Sequence, residues 1–326
     1  MAKQKMIIDS NEKRIIRGFM CDTGAGDSLR YLHSMCEYLE RTDSAAVVYC
    51  LPGIYKRCEQ LIKHFSMRAG RGITAVMVND DMALHNALRE SGDRLFFHPF
   101  DTTYLEALKQ PYIFRFPCME GLSAEATLMD RFCDGIYMGN TLRDHLVIHE
   151  KPHYNSNMLL VFVRELDRLP EMNFTPELLS TIIQIADKYG LKPVFTGSPL
   201  SDRLKTALNG IEVHELYPNA SWPDYYTQIV DISAYDVAIG INSGGLDMVE
   251  AAGVPLIRLC DFHWTREDEG ADFNRFLNRS ITVNVLSRYE NMYPDITKEK
   301  VIEAFSVMTS ALRTAGRDCG GMIINI

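Results

Sequence analysis

The sequence contains no long apolar run and no secretory signal pattern. No window approaches the roughly 18 to 20 consecutive apolar residues that are needed to span a bilayer. Charged residues interrupt every apolar run within residues 1–19, so the hydrophobic core of a signal peptide is missing. We therefore expect a soluble, cytoplasmic protein without a transmembrane segment.

Paired cysteines are also missing, because the eight cysteines are scattered without a C-x-x-C motif. Several of them interrupt apolar runs, as in VVYCLP (47–52). Isolated cysteines in such runs behave as small buried hydrophobic residues in a reducing compartment. We expect neither a structural zinc site nor a disulfide framework.

An excess of positive charge is the third absence. The net charge is −9 and the isoelectric point is about 5.5, which excludes a global attraction to nucleic acid or to an anionic membrane. One locally basic segment, IYKRCEQLIKHFSMRAGRG (54–72), has two interpretations. It is either a solvated helix face followed by a loop, or a contact surface for an anionic acceptor.

What the sequence does contain is a repeated alternation of short apolar runs and longer segments of helical period. The runs are continuously apolar, which is typical of parallel strands covered by helices on both faces. They lie at 14–21, 45–51, 73–79, 94–100, 135–139, 158–163, 192–197, 211–216, 237–242 and 255–260. The pattern predicts an α/β fold with two doubly wound, Rossmann-like domains, which also suits a length of 326 residues.

The domain boundary is predicted in the polar segment LRDHLVIHEKPHYNSN (142–157), which gives domains of 1–152 and 153–326. The segment 297–316 is predicted to be an amphipathic helix that stops at Gly316. This last helix either closes the second domain or packs back on the first.

Strand-to-helix turns are the places to look for ligands, because ligands of open parallel sheets bind beyond the carboxyl ends of the strands. In MCDTGAGDSL (20–29), Gly24 and Gly26 permit a tight turn. Asp27 follows them. It either caps the helix or is a carboxylate that accepts a proton from a substrate hydroxyl.

A second turn, Thr196-Gly197-Ser198, has small residues at a helix start and suits a phosphate or a nucleotide edge, although other tight connections look similar. The third turn is Asn242-Ser243-Gly244-Gly245. Its helix N-terminus offers unpaired N–H groups and a partial positive charge, its serine adds a hydroxyl, and its paired glycines let a diphosphate approach the backbone.

Charged residues near the third turn are further candidates. Glu250 is either a partly exposed surface residue or a carboxylate that binds the hydroxyls of a ribose. Asp261 and His263 follow the strand at 255–260 and either contact a sugar or belong to a solvated loop.

NSGGLDMVEAAGVP (242–255) resembles the D-[ST]-G-x-x-H-x-x-x-A-x-G-x-P motif of the lipopolysaccharide heptosyltransferases, glycosyltransferase family 9. Asn242 stands at the position of the family's Asp, and Asp247 stands at the position of its His. Asp247 is a further possible sugar contact. SGGLDMVE (243–250) is also similar to a motif of the peptidoglycan N-acetylglucosaminyltransferase, and that likeness implies a ribose contact for Glu250.

The resemblance extends to two other segments. The segment 168–199 resembles the family's K-x-W-P segment and T-G-x-P strand end, with Arg168 near the usual Lys. GAGDSLRYLHSMCEYL (24–39) resembles a G-x-G-D-x-L motif, which implies that Asp27 is the catalytic base.

The resemblance implies a GT-B fold and a glycosyltransferase that uses a nucleoside diphosphate-sugar as co-substrate, with inversion and without a metal or other cofactor. Arg164 or Arg168 would balance the diphosphate charge. The acceptor would be a glycan, a lipid-linked glycan or a modified nucleic acid. The alternatives are a nucleotide-sugar 2-epimerase, a phage-type enzyme acting on hydroxymethylated DNA bases, and a binding protein without catalysis.

Overall fold

Two parallel β-sheets organise the chain in the computed structural model. The structure describes residues 14–20, 26, 28, 29, 32, 36, 39, 44–50, 52–65, 72–77, 95–97, 155–165, 173–208, 214–216, 224–260, 280–287, 296–316 and 321–326. All statements below concern these residues.

The first sheet has the strand order β3-β2-β1-β4, and all three pairings are parallel. Its strands are β1 (Arg14–Met20), β2 (Ser44–Cys50), β3 (Ile73–Met77) and β4 (Leu95–Phe97), and helix α1 (Pro52–Ile62) follows β2. Six helical residues lie between β1 and β2, namely Gly26, Ser28, Leu29, Leu32, Cys36 and Leu39. All four apolar side chains among them are fully buried, as their helical spacing predicts.

The second sheet has the order β11-β10-β9-β8-β5-β6-β7 and is parallel at every pairing. Its strands are β5 (Asn155–Val163), β6 (Lys192–Gly197), β7 (His214–Glu215), β8 (Tyr235–Ile241), β9 (Leu256–Cys260), β10 (Ile281–Leu286) and β11 (Met322–Asn325). Its helices are α2 (Pro176–Lys188), α3 (Asp202–Ala207), α4 (Tyr225–Ile232), α5 (Gly244–Ala251) and α6 (Lys298–Ala315). If β5 is numbered as strand 1 of this domain and the sheet is read from β7 to β11, the strand order is 3-2-1-4-5-6-7. This order is the Rossmann order 3-2-1-4-5-6 with one more strand at its end.

The strand order of the second sheet reverses between β5 and β8, its first and fourth strands. In doubly wound sheets the ligand crevice opens beyond the carboxyl ends of the two strands at such a switch point. The residues that directly follow β5 and β8 are Arg164 and Asn242. Topology therefore places two of the sequence candidates at the position where a ligand is expected.

The predicted doubly wound α/β fold is confirmed, and the second sheet has two strands more than the sequence predicts. Strands β10 and β11 were not predicted, because their short segments lack a long apolar run and are held by pairing with β9 and with each other. The predicted strand at 135–139 lies outside the described residues.

Buried side chains form two clusters. One cluster joins a face of the second sheet to α2, α3 and α6, and it contains the α6 residues Val301, Phe305 and Met308. The last helix therefore closes the second domain, and its buried residues do not pack on the described part of the first. The helix begins after the cap residue Thr297 and ends at Gly316, whose φ of 75° suits a glycine.

The other cluster runs from the first domain into the second. It connects residues such as Leu29, Val48 and Leu61 with Leu160 and Leu246 on the opposite face of the second sheet. The two domains thus share a continuous apolar contact. Gly26 of the first domain also lies against Asp247 of α5.

Candidate functional site

Arg164 and the Asn242 turn meet at the switch point. The Arg164 guanidinium Nη1 donates a hydrogen bond of 2.6 Å to the carbonyl oxygen of Asn242. The backbone N–H of Asn242 donates to the Leu259 carbonyl at 2.9 Å, so the turn is fixed to β9 as well. The structure therefore brings a cation to the turn that the sequence predicts to hold a diphosphate.

Ser243 is the N-cap residue of α5, with extended backbone angles of φ −164° and ψ 162°. Serine at this position usually accepts a hydrogen bond from the first turn of its helix. The Ser243 side chain makes no such bond, and its Oγ is buried without a hydrogen-bond partner in the structure. An N-terminal helix dipole and an unused hydroxyl are thus available together for an anion beside Arg164.

A buried charge cluster lies directly beneath this turn. Arg258 in β9 is fully buried, and its Nη2 lies 2.9 Å from Glu250 Oε2 and 3.4 Å from Asp247 Oδ1. Its Nη1 donates to the side-chain Oδ1 of Asn242. Burial by itself lowers the pKa of Arg258, but the carboxylates of Glu250 and Asp247 raise it by more, so that the guanidinium stays charged.

The Asn242 departure from the family motif has a physical explanation in this cluster. Arg258 already faces two carboxylates, from Asp247 and Glu250. A third carboxylate at position 242 would add a negative charge to a site that water scarcely reaches, since Asn242 is 8% exposed. A neutral amide accepts the same hydrogen bond without that cost.

Glu250 is fully buried, which excludes the first of its two sequence interpretations, a partly exposed surface residue. Its Oε2 is paired with Arg258, and its Oε1 accepts a 3.4 Å hydrogen bond from the hydroxyl of Thr282. A ribose would have to compete with this ion pair, so the ribose contact stays a prediction that these contacts do not support.

Asp247 faces the first domain. Its side chain is 5% exposed, and a Cβ built on Gly26 would lie 1.7 Å from Asp247 Oδ2. A larger residue at position 26 would therefore force the Asp247 side chain to shift. Asp247, predicted as a possible sugar contact, is thus packed between Arg258 and Gly26.

The Thr196-Gly197-Ser198 turn is tied to the end of β5. The Ser198 hydroxyl accepts from the backbone N–H of Glu165 at 2.9 Å and donates to the Glu165 carbonyl at 3.2 Å. Thr196 is 5% exposed, and Gly197 has a φ of 96°, which favours glycine. These contacts give the turn a structural role, and its contact with a nucleoside stays a prediction.

Three glycines pack against Phe162: Gly245 and Gly197 face its ring, and Gly240 of β8 faces its Cβ and carbonyl oxygen. A Cβ on Gly245 would lie 2.1 Å from the Phe162 ring, and Cβ atoms on Gly197 and Gly240 would lie within 3.0 Å of Phe162. The diphosphate contact of Gly245 stays a prediction, and the structure adds a packing reason for a glycine at this position. Its missing side chain makes room for Phe162.

We expect Gly245→Ala to lower the free energy of unfolding by about 1 to 3 kcal/mol, because the added methyl group overlaps the Phe162 ring. Urea denaturation measures this change. Gly72→Ala is the matched control, since a Cβ there meets nothing within 4 Å. Phe162→Leu should remove part of the Gly245→Ala penalty, and equal penalties in both backgrounds would refute the packing explanation.

Four predicted site residues, Asp27, Arg168, Asp261 and His263, lie outside the described residues. Sequence reasoning missed Arg258 and Phe162. Arg258 had a signal, because it is the lone charge in the apolar run PLIRLC, just as Glu250 is in its apolar helix end. Two lone opposite charges in neighbouring buried elements indicate an ion pair.

Within the described residues, no group of three or more His, Cys, Asp or Glu residues could hold a metal ion. No described helix has the length and apolar character that crossing a membrane requires.

The sequence matches no established family profile and no curated protein sequence. Its fold, however, is similar to that of solved structures. A glycosyl transferase of family 9 from Veillonella parvula matches with a TM-score of 0.59 and 13% identity over 91% of this chain and 97% of that chain. The ADP-heptose lipopolysaccharide heptosyltransferase II of Escherichia coli gives 0.57 and 14% over 93% and 100%. A putative UDP-N-acetylglucosamine 2-epimerase from Listeria monocytogenes gives 0.53 and 11% over 95% and 92%.

Proposed function

We propose that this chain, which has the GT-B fold, is a glycosyltransferase that moves a sugar from a nucleoside diphosphate-sugar to an acceptor hydroxyl with inversion. The observation that carries the proposal is the group at the switch point of the second sheet. There the α5 N-terminus, the unpartnered Ser243 hydroxyl and the Arg164 guanidinium come together. These are the donors that a diphosphate requires.

The reaction follows from the charges involved. Asp27 would take the proton of the acceptor hydroxyl, and the acceptor oxygen would bond to the anomeric carbon as the bond from that carbon to the diphosphate breaks. The leaving diphosphate carries the negative charge. The helix N-terminus, Ser243 and Arg164 stabilise it, so that no metal ion is needed in this scheme.

A panel of donors tests the proposal. The full chain is incubated with UDP-, GDP-, ADP- and CMP-sugars, with ADP-heptose included because one structural neighbour is named for it. We expect a raised melting temperature and release of the nucleotide with at least one donor. No shift with any donor would refute the proposal, and a shift without turnover would favour a binding protein.

A nucleotide-sugar 2-epimerase is the second candidate, since one of the structural neighbours is named as such. An epimerase inverts a sugar carbon and needs acid and base groups around the ring rather than an acceptor. The same incubation separates the two functions. Formation of an epimeric sugar without an added acceptor would favour the epimerase, and an acceptor-dependent release of nucleoside diphosphate would favour the transferase.

The donor panel identifies the nucleoside diphosphate that raises the melting temperature. Arg164→Met should weaken the affinity for this nucleoside diphosphate by about tenfold, because one charged hydrogen bond to the diphosphate is lost. Isothermal titration calorimetry with ADP, GDP and UDP measures the affinity. Arg313→Met in the last turn of α6 removes the same charge from an exposed site and should leave the affinity unchanged. Equal affinities of Arg164→Met and the unchanged protein would show that Arg164 does not bind the donor.

A further inference from the structure

Helices α1 and α4 connect the two domains through polar and aromatic contacts. Arg57 of α1 lies over the ring of Tyr225, with its Cζ 4.8 Å from the ring centroid. Gln60 accepts a 3.4 Å hydrogen bond from the backbone N–H of Tyr225. His64 stacks on Tyr226 with ring centroids 3.3 Å apart and an interplanar angle of 7°. The basic segment 54–72 is therefore not merely a solvated helix face.

Arg57 also reaches the segment that carries the candidate base. Its Nη1 donates a 3.2 Å hydrogen bond to Oγ of Ser28, which is fully buried. On the other side of Asp27 in the sequence, Gly26 packs against Asp247 of the second domain. Both sequence neighbours of Asp27 are thus held by contacts that lead to the second domain.

Only an arginine satisfies both contacts at once. A guanidinium is flat, so that its face can lie on an aromatic ring while its edge donates a directed hydrogen bond. A lysine ammonium is a compact charge without such a plane, and it would keep at most one of the two contacts. The contacts at Tyr225 and Ser28 therefore depend on the residue type as well as on its charge.

We propose that Arg57 is a positioning residue that fixes Ser28 relative to the second domain. The inference rests on the proposed function, because that function assigns the base to Asp27, the sequence neighbour of Ser28, and the donor to the second domain. A reacting group displaced by about 1 Å loses roughly a hundredfold in rate. Arg57 acts through its contacts with Ser28 and Tyr225.

Hydrogen exchange tests the positioning without any substrate. Backbone exchange of the peptide 22–32 is measured by mass spectrometry in the full chain, in Arg57→Gln and in Arg57→Lys. We expect exchange in both variants to be faster by about tenfold or more. Arg57→Gln loses the contacts to both Ser28 and Tyr225, and Arg57→Lys keeps at most one of them. Lys56→Gln is the matched control, since Lys56 is exposed on the same helix and carries the same charge. Unchanged exchange in Arg57→Gln would overturn the proposal.

A second measurement identifies the contact that matters. In a Ser28→Ala background the effect of Arg57→Gln on exchange should shrink, because the hydrogen bond is already absent. An undiminished effect would overturn the role of Ser28. Circular dichroism confirms that each variant is folded before exchange is compared.

Turnover separates this proposal from the proposed function. With a donor from the panel that the unchanged chain consumes, Arg57→Gln should lower kcat by about 10- to 100-fold and change the donor KM by less than about twofold, since the donor site is intact. An unchanged kcat would overturn positioning of the base. If the unchanged chain consumes no donor while Arg57→Gln still accelerates exchange, the proposed function fails and the link between Ser28 and the second domain stands.

Discussion

Arg258→Met is expected to lower the free energy of unfolding by about 3 to 5 kcal/mol. Arg258 is fully buried between Glu250 and Asp247, and its removal leaves two carboxylates in the interior without their partner. Its hydrogen bond to Asn242 is lost as well. Urea denaturation followed by circular dichroism measures the change.

The two controls for this prediction come from the same chain. Arg203→Met breaks an ion pair with Glu165 in which the arginine side chain is 57% exposed, and it should cost less than about 1 kcal/mol. Adding Glu250→Gln and Asp247→Asn to Arg258→Met should recover part of the loss, because the unpaired charges are then removed. A loss below about 1 kcal/mol for Arg258→Met alone would contradict the buried ion pairs described above.

Asp27→Asn is expected to reduce transfer by about 10²- to 10⁴-fold, the usual contribution of a general base. The choice of asparagine decides between the two sequence interpretations. Asparagine caps helices as well as aspartate does, so a mere cap would leave both stability and turnover unchanged. A base cannot be replaced in this way, since the amide does not accept the proton.

The measurement for Asp27→Asn combines rate and binding. Transfer is followed with the donor that the panel identifies, and the affinity for the matching nucleoside diphosphate should stay within about twofold of the original. Asp224→Asn serves as control, because Asp224 is the N-cap of α4 and its side chain accepts from the N–H of Thr227. Full turnover in Asp27→Asn would refute the assignment of the base.

The two domains predicted from apolar runs match two separate parallel sheets. This part was predictable, because a continuous apolar run needs cover on both faces wherever it lies in the chain. The helix of 298–315 was predictable for a similar reason, since Val301, Phe305 and Met308 share one face whatever they pack against. Strand β11 was not predictable, because its short segment becomes a strand by pairing with β10.

The candidate site, like the fold, was predictable from the sequence only in part. The sequence showed that Asn242 to Gly245 form a small-residue turn between a strand and a helix, and in the structure the helix already begins at Gly244, within that turn. The sequence did not show that Gly245 accommodates Phe162, because those residues are far apart in the chain. Local spacing reports which residues share a face but not which distant side chain fills the space above a glycine.

The sequence by itself thus determined the α/β class, the helix at each turn and the residue types that can bind a diphosphate. Tertiary structure alone decided that Arg164 reaches Asn242, that Arg258 pairs with Glu250, and that Arg57 connects Ser28 to Tyr225. The physical reason is the sequence separation over which each kind of interaction acts. Periodicity and capping act over a few neighbouring residues, whereas charge pairing and close packing depend on which strands become neighbours in the folded sheet.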